Sequence, residues 1–225
     1  MKINKQYIIF DLDGTVTDSK YGILKSMQYA AKHFNIEIKD EELDNYSFFL
    51  GPPLRDGFRK VGKFTDEELE LVVAKYREYY VPTGMFENEL YPGIENLLKK
   101  LKQNGKTVIL ATSKVRTYAE RILEHFDILK YFDFVGGCEL DGSRSKKDEV
   151  ISYCLGHFGV ISNEDKSKAV MVGDRDLDII GARKAGIESV GVLYGYGSEE
   201  ELASGEYRAD YIVRDVWELT ELLIS

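Results

Sequence analysis

The chain has 225 residues, 44% of them hydrophobic and 31% charged, the composition of an ordinary globular protein long enough for one large domain or a core with a smaller companion. Thirty-nine acidic residues against 30 basic ones give a net charge of -9, which argues against nucleic acid or an anionic membrane as a partner, because both reward clustered Lys and Arg. The same charge repels an anionic substrate unless the site carries its own cations.

The first apolar run, Tyr7 to Phe10, reads as a strand and is too short for the hydrophobic region of a signal peptide. Directly after it, Asp11-Leu12-Asp13-Gly14-Thr15 places two carboxylates two residues apart. In an extended segment, side chains i and i+2 point the same way, so Asp11 and Asp13 are expected to face one pocket. Two like charges that close are costly unless a cation or a substrate proton lies between them. Such a pair suits chemistry in which one carboxylate attacks and the other moves a proton. Gly14 permits the positive φ or close backbone approach that a tight exit from a strand needs. The competing reading is a polar turn, since Asp and Gly are common turn residues.

Residues 21–34 carry Ile23, Met27, Ala30, Ala31 and Phe34 near helical spacing. Thr65-x-x-Glu68 is a capping box that opens a helix running to about Tyr80. Tyr76, Tyr79 and Tyr80 have helical offsets and predict helix packing. With no strand expected between, residues 17–86 read as a helical insertion in a core made of residues 1–16 and 87–225.

From residue 91 onward, helix and strand alternate. A helix over 92–102, closed by Asn104-Gly105, leads to a strand over 107–111. A helix over 115–126 follows, then a strand over 132–135 ending in Gly136-Gly137, and a helix over 147–158. A strand over 169–172, a helix over 178–184 before Gly186, a strand over 189–193, a strand over 211–213 and a helix over 217–223 complete the pattern. This alternation predicts an α/β fold with a doubly wound, mostly parallel sheet. Cys138 and Cys154 have no second pair and no clustered histidine, so two buried thiols in a reducing cytoplasm are expected, with neither a zinc site nor a disulfide. No segment approaches the roughly 20 apolar residues of a membrane helix. His33, His125 and His157 fall in helical patterns and are read as packing or surface residues.

Open α/β sheets bind ligands outside the carboxyl ends of their strands, so the residues following each expected strand compose the expected site. These are Asp11 and Asp13 after the first strand, Thr112, Ser113 and Lys114 after the second, and Gly173-Asp174-Arg175-Asp176-Leu177-Asp178 after the strand at 169–172. Lys146 and Lys147 open a helix behind the loop 141–145. Asp11, Asp13 and Asp174 would offer oxygen ligands to a hard cation, which suits Mg²⁺, and the cation would neutralise the cluster and receive a phosphate oxygen. The Thr112 hydroxyl and a lysine would hold further phosphate oxygens. Acid nucleophile, metal, hydroxyl and lysine are the needs of phosphoryl transfer through an aspartyl-phosphate. The bland readings are a helix N-cap for Asp174 and a first-turn acid favoured by the helix dipole for Asp178. Lys114 reads either as a phosphate guide or as a surface lysine starting a helix. Arg55, after Gly51-Pro52-Pro53-Leu54, is a candidate contact from the insertion to a substrate anion.

On Asp11 to Thr15 (DxDGT), Thr112, and Gly173 to Asp178 (GDxxxD), the chain resembles the haloacid dehalogenase superfamily, which consists mostly of phosphatases. The resemblance covers nearly the whole chain. The family's remaining motif, a lysine, is assigned to Lys147, with Lys146 the alternative. The resemblance implies a Rossmann-like core with an inserted helical cap that closes over the substrate. It implies that Asp11 attacks phosphorus, that Asp13 protonates the leaving oxygen and then activates water, and that Thr112 and Lys147 hold the phosphoryl group, with Gly14, Ser113 and Lys114 also against the substrate. Mg²⁺ would be held by Asp11, the main-chain carbonyl of Asp13 and Asp174, with Asp178 in support. The implied protein is a cytoplasmic Mg²⁺-dependent phosphatase, monomer or homodimer, for a small phosphorylated metabolite. The cap entrance and the Gly51 to Leu54 stretch are most similar to phosphoglycolate phosphatases and nucleotidases.

Asp13 sets aside haloacid dehalogenases and phosphonate hydrolases, which lack an acid two residues after the nucleophile. Sugar phosphomutases of the β-phosphoglucomutase type keep that acid but carry an Asp-Thr and a nearby histidine where this chain has Asp18-Ser19-Lys20-Tyr21-Gly22. A signalling receiver also surrounds Mg²⁺ with acids, a Thr and a Lys, but is much shorter and has no insertion after its first strand.

Overall fold

The computed structural model describes residues 2–204 and 207–224. In chain order, β1 (Tyr7–Phe10) and β2 (Thr17–Asp18) precede α1 (Lys20–Lys32), α2 (Leu54–Val61), α3 (Asp66–Tyr80) and β3 (Glu89–Leu90). There follow α4 (Ile94–Gln103), β4 (Thr107–Val115), α5 (Arg116–His125), β5 (Phe134–Cys138), α6 (Lys147–His157) and α7 (Asn163–Lys166). The chain continues through β6 (Ala169–Gly173), α8 (Asp176–Ala185), β7 (Glu188–Val192), α9 (Glu199–Ala203), β8 (Tyr211–Val213) and α10 (Val216–Leu223). It divides into two compact units, Met1–Thr17 with Leu90–Ser225, and Asp18–Glu89. The crossings lie at 17/18 and 89/90 rather than at the expected 16/17 and 86/87. Each crossing is made by a two-residue strand, β2 or β3, which together form a small second sheet and carry no hydrophobic period long enough to read from sequence.

The larger unit is an α/β layer structure. Its sheet has the order β5-β4-β1-β6-β7-β8, and every pairing is parallel. Tyr7 to Phe10 align with Thr107 to Leu110 on one side and with Ala169 to Val172 on the other. The apolar runs explain this: a parallel strand covered on both faces needs near-continuous hydrophobicity. Ile9, Ile109 and Met171 point to one face, where they pack with Val150, Ile151 and Cys154 of α6 and with Ala182 and Ala185 of α8. Their alternating neighbours Ile8, Phe10, Val108, Leu110, Val170 and Val172 point to the other face and are equally buried. From β1 the chain builds outward through β4 and β5, then returns to lay β6 on the other side of β1. That reversal leaves a crevice outside the carboxyl ends of β1, β4 and β6, the usual ligand site of such sheets.

The smaller unit is helical between its two crossing strands. Glu68 N–H donates to Thr65 Oγ1 at 3.2 Å, and Thr65 N–H donates to Glu68 Oε2 at 2.8 Å, so the capping box starts α3 as the sequence predicts. The core of this unit is aromatic: Phe49 meets Phe58 edge-on at 4.9 Å, and Tyr76 stacks on Tyr80 at 5.1 Å. The sequence reading gives neither the 3₁₀ segments over Asp40–Phe49 and Gly84–Phe86 nor the short helix α2. In the first of these only Leu43 and Phe49 are buried, too sparse a pattern to show a period.

The boundary differences that bear on the site fall in β4, β5 and α8. β4 runs on to Val115 instead of ending at Ala111, with the β4–β5 register shifting between those residues. β5 begins two residues later than expected and runs through Gly136 and Gly137 to Cys138. α8 begins at Asp176 rather than Asp178, with Arg175 at its N-cap. No helix among the described residues is long and apolar enough to cross a membrane.

Candidate active site

The strand β1 hands the chain to a tight turn. Val16 and Thr17 N–H both donate to the Leu12 carbonyl at 2.9 Å, and Gly14 N–H donates to the Thr17 carbonyl at 2.8 Å. Gly14 has φ of +80°, and a Cβ on it would strike the carboxylate of Asp174. Glycine is therefore required twice, by the left-handed backbone and by the acid occupying the place of a side chain.

Asp174 follows β6 directly and is fully buried. Its Oδ1 accepts a hydrogen bond from Thr15 Oγ1 at 3.2 Å, and its Oδ2 accepts one from Tyr196 N–H at 2.8 Å. Asp178 lies in the first turn of α8, where its Oδ2 accepts the Arg175 N–H at 3.1 Å. Lys147, the first residue of α6, is 7% exposed. Its ammonium lies 2.7 Å from Asp11 Oδ1 and 2.8 Å from Asp178 Oδ1 and donates to the Ala111 carbonyl at 3.1 Å. Four elements that begin or end at the crevice, β1, β6, α6 and α8, thus bring together Asp11, Asp174, Asp178 and Lys147. Lys146 is exposed at the N-cap of α6, so Lys147 is the lysine that meets the acids.

Oxygen atoms of Asp11, Asp174 and Asp178 all lie within 4.8 Å of one another. Against these three carboxylates stands the ammonium of Lys147, while Arg175, whose charge also reaches Asp174, is paired with Glu201 at 2.7 Å. The cluster has an excess of two negative charges in a buried space, where desolvation makes charge expensive. Burial first, and the neighbouring charges second, shift its titration. Burial, opposed by Lys147 and reinforced by Asp178, pushes Asp11 up to about 6. Burial, then Asp178 and Asp11, hold Asp174 well above the usual carboxylate range. Burial works against the charge of Lys147, but Asp11 and Asp178 outweigh it and hold the ammonium above its ordinary value. Asp11 Oδ1 and Asp178 Oδ1 are both buried against the one Lys147 ammonium. Hard oxygen donors clustered within 4.8 Å and two unbalanced negative charges fit a small divalent cation.

Asp13 has a separate partner. Lys114 Nζ lies 2.6 Å from its Oδ1, and both side chains are largely buried. Lys114, Thr112 and Ser113 lie within β4, inside its irregular end, rather than after it as expected. Within that irregular end Lys114 N–H donates to Thr112 Oγ1 at 3.2 Å, and Thr112 is buried while Ser113 is half-buried. Lys114 is not the exposed lysine of a helix start. Arg55 belongs to the Asp18–Glu89 unit, where it is exposed on α2 and ion-paired with Glu70.

Sequence reasoning missed the groups that grip Asp174. In the sequence Thr15 stands out only as part of a motif, and Tyr194 and Tyr196 belong to none. A backbone donor has no side-chain signature, but the two glycines of Gly195-Tyr196-Gly197 signal close approach. A Cβ on Gly195 would meet Gly14 and Asp174, and one on Gly197 would meet the Asp174 carbonyl.

The profile described as "Haloacid dehalogenase-like hydrolase" matches residues 8–192. The chain is 36% identical over 218 residues to a 5'-nucleotidase of Pseudomonas aeruginosa, covering 97% of this chain and 95% of the relative. It is 37% identical over 207 residues to the tyrosine-protein kinase PtkA of Mycobacterium tuberculosis, covering 92% of this chain and 65% of that one. The crystal structure of a predicted phosphatase from Clostridium acetobutylicum aligns with a TM-score of 0.88 at 44% identity, covering 96% of each chain.

Proposed function

The chain belongs to the haloacid dehalogenase-like hydrolase family, and we propose that it is a Mg²⁺-dependent phosphatase hydrolysing a small phosphomonoester through an aspartyl-phosphate on Asp11. The observation that carries this reading is the arrangement of two carboxylates with two lysines. Asp11 shares Lys147 with Asp178, while Asp13 has Lys114 to itself.

Asp11 attacks phosphorus, forming an acyl-phosphate as the ester P–O bond breaks. Asp13 gives its proton to the leaving oxygen and then takes one from the water that attacks the acyl-phosphate. Lys147 and the Thr112 hydroxyl face the transferred group and stabilise its charge. A Mg²⁺ ion would be held by Asp11, the Asp13 carbonyl and Asp174, with Asp178 in support, and would neutralise the excess negative charge and polarise a phosphoryl oxygen. The Asp18–Glu89 unit is read as the cap that selects the leaving group. The name of the P. aeruginosa relative supports a nucleoside monophosphate over phosphoglycolate as the first substrate to try. The protein is read as cytoplasmic, and as a monomer or homodimer.

A second reading keeps the aspartyl-phosphate but passes it to a hydroxyl other than water, and the similarity to a tyrosine-protein kinase favours keeping it in view. A screen of phosphorylated metabolites with phosphate release as readout tests both. Free phosphate released with Mg²⁺ and abolished by Asp11→Asn supports hydrolysis. Transfer without free phosphate supports the second reading, and substantial Mg²⁺-dependent hydrolysis by Asp11→Asn rejects the nucleophile.

A further inference from the structure

Asp174 differs from its two acidic neighbours in how it is held. Lys147 ion-pairs with Asp11 and Asp178, whereas the hydrogen bonds to the Asp174 carboxylate come from uncharged donors, Thr15 Oγ1 on one oxygen and Tyr196 N–H on the other. Uncharged donors fix the orientation of a carboxylate while leaving its charge available to a cation.

Both donors are organised by one segment. Tyr194 Oη donates to the Thr15 carbonyl at 3.0 Å, and its ring packs edge-on against Tyr91 at 4.8 Å. Gly195 and Gly197 let the backbone lie against Gly14 and Asp174, where neither position has room for a Cβ. Further along, Ser198 Oγ accepts Glu201 N–H at 3.1 Å and caps α9. Glu201 Oε1 then accepts Arg175 Nε at 2.7 Å and Asp176 N–H at 2.9 Å. The segment therefore grips Asp174 from its carboxylate and also holds the two residues that follow it.

We propose that the segment from Tyr194 to Glu201 is a positioning strap that orients the Asp174 carboxylate, so that cation affinity depends on residues that never touch the cation. The inference rests on the reading of Asp174 as a cation ligand. Gly195 is the point of closest approach to the Asp174 side chain, and a methyl there must push the strap off it. Tyr194 and Glu201 are the two anchors.

Calorimetric titration of the metal-free full-length protein with Mg²⁺, without substrate, tests it on Gly195→Ala, Tyr194→Phe, Glu201→Gln and Asp174→Asn. Gly195→Ala is expected to weaken Mg²⁺ binding about 10- to 100-fold, the usual effect of losing a ligand's supporting contacts. Tyr194→Phe and Glu201→Gln shift it in the same direction, and phosphatase rate lost at low Mg²⁺ returns as Mg²⁺ is raised. If Gly195→Ala fails to fold, the two near-isosteric variants decide. Affinity within twofold of wild type in the folded variants, with Asp174→Asn losing it, overturns the strap alone. Affinity retained by Asp174→Asn overturns the ligand reading on which the strap rests.

Discussion

Lys147 Nζ lies 2.7 Å from Asp11 Oδ1 and 2.8 Å from Asp178 Oδ1, so one buried ammonium ties the residue after β1 to the first turn of α8. Removing it leaves two buried carboxylates facing each other. Breaking a buried pair from one side typically costs about 3–5 kcal/mol. Lys147→Met is therefore expected to lower the unfolding free energy of the metal-free protein by about that amount, measured by denaturant titration. Its phosphatase rate should fall by at least about a hundredfold, as when a transition-state donor is lost. A variant of unchanged stability would show that the ion pairs do not form in solution.

The raised titration of Asp11 carries a signed prediction. Its folded value is about 6 against an ordinary 3.8, so between these pH values the folded state binds more protons than the unfolded one. The stability this provides is present below about 3.8 and is lost as pH rises through about 6. In EDTA, Asp11→Asn, which has no such charge to bury, should be more stable than wild type at pH 7 by roughly 2–3 kcal/mol. The difference should shrink toward pH 4, and added Mg²⁺ should reverse it by binding wild type. Parallel melting curves of the two proteins from pH 4 to 7 check this, and a gap that widens on acidification would contradict it.

Gly14 is bound to its position by a backbone φ of +80° and by the carboxylate of Asp174. Gly14→Ala is expected to destabilise the fold by about 1–3 kcal/mol, the cost of an unsuitable backbone conformation. It should also displace Asp174 and weaken Mg²⁺ binding. Gly105→Ala provides the comparison, since φ there is +68° but nothing lies within 4 Å of the added Cβ. If both substitutions weaken Mg²⁺ equally, contact with Asp174 is not what Gly14 protects.

Asp13 and Lys114 form a largely buried pair at 2.6 Å, and residues in direct contact behave non-additively. The effect on kcat of Asp13→Asn combined with Lys114→Met should be smaller than the product of the two single effects. Strict multiplicativity in this double-mutant cycle would show that Lys114 acts independently of the acid.

The sequence shows the sheet because its strands are continuous apolar runs, as in Tyr7 to Phe10 and Ala169 to Val172, each covered on both faces. It shows Asp11, Asp13, Asp174 and Asp178 because strand ends in such sheets converge. What stays hidden depends on distance or on backbone. The sequence prefers Lys147 with Lys146 as the alternative, and the fold separates them by burying the first and exposing the second. Lys114 meets Asp13 across 101 residues of chain. The irregular end of β4 hides behind a polar Thr112-Ser113-Lys114, which reads as a loop. Tyr196 contributes to Asp174 through its N–H, a group every residue but proline possesses.

The central claim is that Asp11 takes the phosphoryl group. The direct measurement is borohydride reduction of enzyme quenched during turnover with Mg²⁺ and a hydrolysed phosphomonoester, followed by peptide mass spectrometry. An acyl-phosphate on Asp11 is reduced to homoserine, so the account predicts homoserine at position 11, dependent on Mg²⁺ and substrate and absent from Asp11→Asn. Homoserine at Asp13 or Asp174 instead, with position 11 unmodified, would contradict it.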